Sequence, residues 1–201
     1  MLRRSRRQRY RTLADLNPRK SRFGPIISFI IVCLGLAWFF ELQATTTLVF
    51  VRHTDTVGIP SENSDPSLNA TGIQRAELLA DFLEAIDVIA GVDAIYASDN
   101  QRTQQTAEPL AGRLSLEIFL EDPYDVEPFM TQVLDEHKGE IVLVVTQSDI
   151  IAPLVEELHG SKNIPVIESG DYGNLYIVTV PWFGKVKTLR LRYDLGFLPR
   201  T

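Results

Sequence analysis

The sequence predicts an α/β fold, a mostly parallel central sheet with helices on both faces, preceded by one N-terminal transmembrane helix. Short apolar runs rich in β-branched residues recur along residues 47–193, and helix-like segments of about ten residues or more separate most of them. Parallel neighbours need such long crossovers, and the helices then cover both faces of the sheet. An uncharged run of eighteen residues near the N-terminus predicts the membrane helix.

The first 24 residues are strongly basic, with nine Lys and Arg and a single acid. The uncharged run from Phe23 to Phe40 follows directly, and as a helix it would reach roughly 27 Å, close to the thickness of a bilayer core. Basic residues that precede a span stay on the cytoplasmic side. We therefore predict a basic cytoplasmic tail over 1–24, a transmembrane signal anchor over 25–42, and a domain over 44–201 that lies in the periplasm, outside a bacterial inner membrane.

Two other interpretations of the apolar run stay open. A buried core helix would have a similar composition, but the lopsided charge around the run argues against it. A cleaved signal peptide could use Ala44 at its cleavage site, whereas Leu42 and the bulky Trp38-Phe39-Phe40 fit such a site poorly. The one cysteine, Cys33, lies inside the run, so no intramolecular disulfide can form, and Cys and His are too sparse for structural zinc.

The charge of the domain excludes one class of partner. Residues 25–201 hold 11 basic and 25 acidic side chains. Affinity for nucleic acid depends on Lys and Arg that neutralise phosphates. We therefore expect no nucleic-acid partner.

The elements of the domain follow in a regular order. The apolar run Thr47 to Val51 predicts a first strand that ends at Arg52-His53. A loop rich in Pro, Ser, Asn and Asp over 58–70 leads to a helix over 71–87 that Thr71 or Asn69 would cap. The remaining predictions are strand 94–97, helix 100–113, strand 116–120, helix 127–137, strand 141–145, helix 150–158, and strands 173–180 and 187–193.

Polar residues follow three of these strands. They are Arg52-His53, Ser98-Asp99 with Arg102 just beyond, and Thr146-Gln147-Ser148. In open α/β sheets, sites form where the carboxyl ends of strands meet the loops that follow. We therefore expect these three positions to lie together.

Four segments, in this order, resemble motifs of the histidine phosphatase (phosphoglycerate mutase-like) superfamily. Val51-Arg52-His53-Thr54-Asp55-Thr56 resembles its Arg-His-Gly signature, and Asp65 to Gly72, followed by Arg75-Ala76, resembles the segment after it. Ile95 to Thr103, with Gln105-Thr106-Ala107, is similar to its second arginine motif. Thr146-Gln147-Ser148 occupies the place of its Gly-His-Ser segment, and the resemblance covers about residues 47–180.

This resemblance implies phosphoryl transfer through a histidine. His53 would attack phosphorus and become transiently phosphorylated, Arg52 and Arg102 would hold the phosphate, and neither a metal nor another cofactor is implied. Guanidinium groups are planar, permanently charged and matched to phosphate oxygens, and catalysis of this kind is mainly positioning and electrostatic stabilisation. The implied partner is a small-molecule or surface-linked phosphate ester.

Two residues depart from the family pattern. Gln147 stands where a second catalytic histidine is expected, and neither His137 nor His159 is placed to substitute for it. A neutral amide donates a weaker hydrogen bond than a charged group, and a loss of about 2–3 kcal/mol would slow turnover by roughly thirty- to over a hundredfold. Thr54 stands where Gly or Ala is common, so we expect its side chain to lie against the phosphate.

Two functions are therefore open. Retention of Arg52, His53 and Arg102 predicts a phosphate-ester hydrolase with weakened activity outside the cytoplasmic membrane. Gln147 and Thr54 favour the alternative, a catalytically inactive pseudophosphatase that serves as a phosphate-binding or interaction domain. For the hydrolase, the residue that protonates the leaving group would be one of Asp55, Asp122 and Asp125.

Overall fold

A computed structural model describes residues 23–41, 45–58, 65–86, 91–168 and 170–193. The chain divides into two units, Met1–Leu42 and Gln43–Thr201. Most of the predicted basic tail, residue 42 of the predicted anchor, and residues 59–64 of the predicted loop lie outside the described residues.

The first unit contains one described helix, α1 (Gly24–Glu41). Its large apolar side chains are exposed, Phe29 at 69% and Trp38 at 70%. In the described part of the chain, no helix reaches the combination of length and apolar character that crossing a membrane requires.

The second unit is built on a six-stranded sheet. Its strands are β1 (Thr46–Arg52), β2 (Ala94–Ala97), β3 (Ile118–Leu120), β4 (Ile141–Thr146), β5 (Asn174–Val180) and β6 (Lys187–Arg192). They lie in the order β3-β2-β4-β1-β5-β6. The pairings β1–β4, β2–β4 and β2–β3 are parallel, whereas β5 is antiparallel to both β1 and β6. The expected mostly parallel sheet is confirmed.

Helices cover both faces of this sheet. They are α2 (Ala70–Ile86), α3 (Gln101–Leu114), α4 (Val126–Glu136) and α5 (Ser148–Glu157). Side chains alternate along a strand, so Leu48 and Phe50 of β1 belong to a core with α4 and α5. Val49 and Val51 belong to a second core with α2 and α3. The central strands β1, β2 and β4 are buried on both faces, which explains their nearly continuous apolar sequences.

Three helix starts bear on the site. The Gly72 amide donates to Asn69 Oδ1 at 2.8 Å, so Asn69, rather than Thr71, caps α2. Helix α3 begins at Gln101, which places Arg102 in its first turn. Helix α5 begins at Ser148, two residues earlier than predicted, and Gln147 precedes it with an extended backbone (φ −97°, ψ 157°) and no side-chain capping bond.

Candidate active site

The carboxyl ends of β1, β2 and β4 meet at one edge of the sheet, because these strands are parallel. Arg52, the last residue of β1, lies in register with Thr146, the last residue of β4. The His53 amide then donates to the Thr146 carbonyl at 2.9 Å. Arg52, His53 and Gln147 therefore leave the sheet side by side.

His53 is held in the form that a nucleophile requires. Its ring Nδ1 lies 2.8 Å from the carbonyl oxygen of Thr54. Since a carbonyl only accepts, Nδ1 of the neutral ring carries the proton and Nε2 keeps its lone pair. Burial, followed by the charges of Arg52 and Arg102, lowers the pKa of His53 to about 4, against the opposing effects of the Thr54 carbonyl and Asp55. The ring is therefore neutral at physiological pH.

Arg52 is fixed by the segment that leads into β5. Its Nη1 donates to the Glu168 carbonyl at 2.8 Å, and its Cζ lies 4.4 Å from the ring centroid of Tyr172. Tyr172 also approaches His53, with 6.0 Å between ring centroids. Strand β5 runs antiparallel to β1, so its start, and Tyr172 before it, lies at the carboxyl end of β1. Sequence periodicity could not identify Tyr172, because the described residues before β5, 161–168 and 170–173, form no helix or strand.

Thr54 does not have the role expected from the sequence. Its side chain is fully buried, and Thr54 Oγ1 donates to the Gly72 carbonyl at 2.9 Å. Its amide donates to Thr106 Oγ1 at 3.1 Å, so neither polar group of Thr54 is left for phosphate. The expectation that Thr54 crowds or binds the phosphate is therefore wrong, because the side chain turns into the packing against α2 and α3.

The same contacts position the second arginine. Thr106 Oγ1 accepts from the Thr54 amide and donates to the Arg102 carbonyl at 2.7 Å, which joins the first turn of α3 to the residue after His53. The Arg102 side chain is 13% exposed, and its Nη1 lies 3.8 Å from Asp65 Oδ1. The effect of Arg102 on the pKa of His53 shows that the two groups lie within electrostatic range.

The three candidate proton donors lie in different surroundings. Asp55 Oδ2 accepts from Arg75 Nε at 2.8 Å, and Asp55 acts electrostatically on both His53 and Arg52. Asp122 Oδ1 accepts the backbone amide of Tyr124 at 3.0 Å. Asp125 precedes α4 and makes no side-chain capping bond. Asp55 is thus ion-paired with Arg75, and its charge acts on the nucleophile.

Gln147 belongs to a polar cluster that sequence inspection missed. Tyr124 Oη donates to Gln147 Oε1 at 3.0 Å and lies 3.1 Å from Asp149 Oδ2. The negative charge of Asp149 acts to raise the pKa of Arg52, and the positive charge of Arg102 acts to lower the pKa of Tyr124. Gln147 thus lies at the same sheet edge as Arg52 and His53, and its neighbours Asp149 and Tyr124 lie within electrostatic range of Arg52 and Arg102, respectively.

Neither of the other two histidines joins this group. His137 follows α4, where Nε2 contacts Tyr96 Oη at 2.9 Å and Nδ1 contacts Glu140 Oε2 at 2.7 Å. His159 follows the far end of α5, whereas Gln147 precedes its start. Both positions agree with the expectation that neither histidine substitutes for the missing one.

Comparison with known proteins agrees with the motifs. Residues 48–123 match the family model of the histidine phosphatase superfamily, branch 1. This stretch of the chain is therefore similar to the histidine phosphatase superfamily. The matched part of the domain contains Arg52, His53 and Arg102, whereas Gln147 lies beyond it. The resemblance to this superfamily is therefore confirmed over residues 48–123, and the replacement of the second histidine by Gln147 stays a prediction.

Solved structures share the histidine phosphatase fold at low sequence identity. The protein histidine phosphatase SixA, solved with tungstate, is 20% identical, with a TM-score of 0.58 over 73% of this chain and 96% of its own. A mycobacterial glucosyl-3-phosphoglycerate phosphatase is 15% identical, with a TM-score of 0.56 over 75% of this chain and 99% of its own. A phosphoserine phosphatase variant from Entamoeba histolytica, solved with phosphoserine, is 16% identical, with a TM-score of 0.51 over 69% and 95%. No curated protein matches the sequence.

Proposed function

We propose that this domain is a phosphate-ester hydrolase that acts through a phosphohistidine at His53, with activity weakened by Gln147. The observation that carries the proposal is the state of His53, a buried neutral ring whose Nδ1–H donates to the Thr54 carbonyl at 2.8 Å. An imidazole fixed in this tautomer offers an unprotonated Nε2 as a nucleophile. Turnover of a panel of phosphate esters by the purified full-length chain tests the proposal, and absence of turnover for every ester would contradict it.

In the first step, Nε2 of His53 forms a bond to phosphorus while the bond from phosphorus to the ester oxygen breaks. That oxygen takes a proton from an acid at the pocket and leaves as an alcohol. Arg52 and Arg102 offset the charge on the equatorial oxygens of the phosphoryl group. The Glu168 carbonyl and Tyr172 hold the Arg52 side chain, and Thr106 holds the Arg102 backbone, so little reorganisation is needed during reaction.

In the second step, water attacks phosphorus and the bond to Nε2 breaks, which releases inorganic phosphate and restores neutral His53. The water gives its proton to the group that protonated the leaving alcohol. Asp55, Asp122 and Asp125 are the candidates for this group. No metal enters either step, in line with what the family resemblance implies.

The substrate class is inferred from the solved proteins with this fold and from the charges around Arg52. The solved proteins with this fold act, by their names, on a protein phosphohistidine, a sugar phosphoglycerate and phosphoserine. We propose a small-molecule or surface-linked phosphate ester for this domain. The negative charges of Asp55, Asp149 and Asp171 lie within electrostatic range of Arg52 and act to raise its pKa. Such charges repel polyanions, so the site should prefer esters with a single phosphate and an uncharged or cationic leaving group.

A pseudophosphatase is the second candidate, and two observations favour it. Gln147 is uncharged, and Arg102 already lies 3.8 Å from the carboxylate of Asp65. Such a domain would bind phosphate without turning it over. Vanadate binding without hydrolysis of any ester would support this function over the hydrolase.

The pH dependence of kcat/KM provides a specific expectation. Only neutral His53 can attack, and its pKa is about 4, so activity should stay level as the pH falls from 7 towards 5 and decline only below that. Initial rates with an aryl phosphate, corrected for the substrate's own ionisation near pH 6, measure this. A decline centred near pH 6.5, the ordinary value for histidine, would contradict it.

Because burial holds the His53 ring neutral, the free energy of unfolding should also decrease as the pH drops from about 6.5 towards 4.

We also propose that residues 25–42 anchor the domain in the bacterial inner membrane, with residues 44–201 on the periplasmic side. The exposed apolar side chains of α1 support this proposal, as does the basic tail that precedes them. The proposed span extends beyond the described side chains of α1, which end at Phe39.

A fusion experiment tests this topology. Alkaline phosphatase, which is active only outside the cytoplasm, should be active when fused after Thr201, because the positive-inside rule keeps residues 1–24 in the cytoplasm. Green fluorescent protein at the same position should not fluoresce. The reverse pattern would invert the orientation, and a soluble mature protein that begins near Thr45 would replace the anchor with a cleaved signal peptide.

A further inference from the structure

The phenol of Tyr124 lies between two acceptors. Its Oη is 3.0 Å from Gln147 Oε1, and it is 3.1 and 3.3 Å from the carboxylate oxygens of Asp149. A phenol has a single proton, so it can donate fully to only one of these groups at a time. The amide oxygen of Gln147 therefore competes with the Asp149 carboxylate for this donor.

The loop between β3 and α4 holds Tyr124 in this place. Its backbone amide donates to Asp122 Oδ1 at 3.0 Å, and Pro123 beside it is buried. Tyr124 is 47% exposed, and partial desolvation of its phenol, followed by the negative charge of Asp149, raises its pKa. The phenol therefore keeps its proton at neutral pH and acts as a donor. The positive charge of Arg102 acts to lower the pKa of the same phenol, so Tyr124 lies within electrostatic range of this proposed phosphate-binding arginine.

A hydrogen bond to Oε1 fixes which end of the Gln147 amide faces away from Tyr124. The two ends of a planar amide have opposite character, one an acceptor and the other a double donor. With Oε1 engaged, both N–H groups lie on the other branch of the amide. Rotated by half a turn, the amide would present its oxygen there, and an oxygen repels the oxygens of a phosphate. The orientation of Gln147 therefore decides whether it can replace a histidine that donates.

We propose that Tyr124 is a positioning residue that orients the Gln147 amide so that its N–H groups serve as neutral phosphate donors. This inference rests on the proposed function, because it assigns a role within the same site. Gln147 contributes through its nitrogen, and Asp149 is the competing acceptor. The pair Tyr124–Gln147 thus does part of the work of a second histidine.

A double-mutant cycle tests the pairing. Tyr124→Phe removes only the hydroxyl, and in the full-length chain it should lower kcat/KM for an aryl phosphate about fivefold, which corresponds to roughly 1 kcal/mol. It should weaken orthovanadate binding to a similar extent. In a Gln147→Ala background, Tyr124→Phe should change neither quantity by more than about twofold, because no amide remains to be oriented.

Tyr96→Phe is a matched control. Tyr96 also loses a hydroxyl with two partners, Glu136 at 3.2 Å and His137 at 2.9 Å, but these lie at the end of α4 away from the site. This variant should leave kcat/KM and vanadate affinity unchanged. If the Tyr124 hydroxyl only stabilised the fold, Tyr124→Phe would lower the melting temperature, and its effect on kcat/KM would be the same with and without Gln147.

The outcomes separate this inference from the proposed function. If the unmodified chain binds vanadate but hydrolyses no ester, the hydrolase function fails, and weaker vanadate binding by Tyr124→Phe would still support the pairing. If the chain hydrolyses esters and Tyr124→Phe has no effect, or an equal effect with and without Gln147, the pairing is overturned and the hydrolase function stands. Absence of both turnover and vanadate binding in the unmodified chain would overturn both.

Discussion

Replacing His53 by alanine should lower hydrolysis of an aryl phosphate by at least about a thousandfold, because no covalent route remains. Arg52 should stay in place in this variant, since the Glu168 carbonyl and the Tyr172 ring hold its side chain, and Thr106 still holds the Arg102 backbone. Vanadate affinity should therefore fall by much less than turnover. Steady-state rates and vanadate titration of the same preparation measure both quantities.

A second histidine provides the control for this substitution. His159 is exposed, lies beyond the far end of α5 and has a positive φ of 57°, which asparagine tolerates. His159→Asn should therefore keep full activity. Hydrolysis by His53→Ala within tenfold of the unmodified rate would show that the reaction does not pass through His53.

Gln147→His should raise hydrolysis of the same ester by at least about tenfold, since it restores a donor that can carry charge to the phosphate. Gln147 has an extended backbone before α5 and no capping bond, so the exchange breaks no helix contact. It does lose the contact from Tyr124 to Oε1. The expected gain is therefore the net effect of a charged donor over an oriented neutral one.

The increase should vanish in a His53→Ala background, because without the nucleophile there is no covalent reaction to accelerate. A fast unmodified enzyme whose rate Gln147→His leaves unchanged would show that Gln147 does not occupy the role of the missing histidine. If Gln147→His lowers the rate, the contact with Tyr124 is worth more than the added charge.

The fold could be predicted from the sequence because its strands and helices are locally distinct. The continuous apolar run in β4 and the helical spacing in α2 each determine one element, and the parallel sheet follows from their alternation. Boundaries differ by one or two residues, as for β3, which begins at Ile118 rather than at 116. Helix α3 ends at Leu114, and the left-handed backbone of Ser115 after it (φ 57°) accounts for part of that difference.

The site was predictable only where its residues follow strands. Arg52 ends β1, His53 and Gln147 directly follow strands, and Arg102 lies in the first turn of the helix after β2. Topology brings such positions together. Tyr124 and Tyr172 lie in loops without periodicity. The role of Tyr124 depends on a hydrogen bond to Gln147, 23 residues further along the chain. The role of Tyr172 depends on the antiparallel pairing of β5 with β1. Thr54 was misassigned because its sequence position fixes the backbone but not the direction of the side chain.

Trapping of the covalent intermediate is the most direct test of the account. The full-length chain is mixed with an aryl phosphate carrying ³²P, quenched in alkali within the first turnover, and digested for mass spectrometry. We expect a label that is stable in alkali and labile in acid, on the peptide that contains His53, and absent from His53→Ala. Label on another residue, or steady hydrolysis with no labelled protein at any time, would contradict the phosphohistidine mechanism.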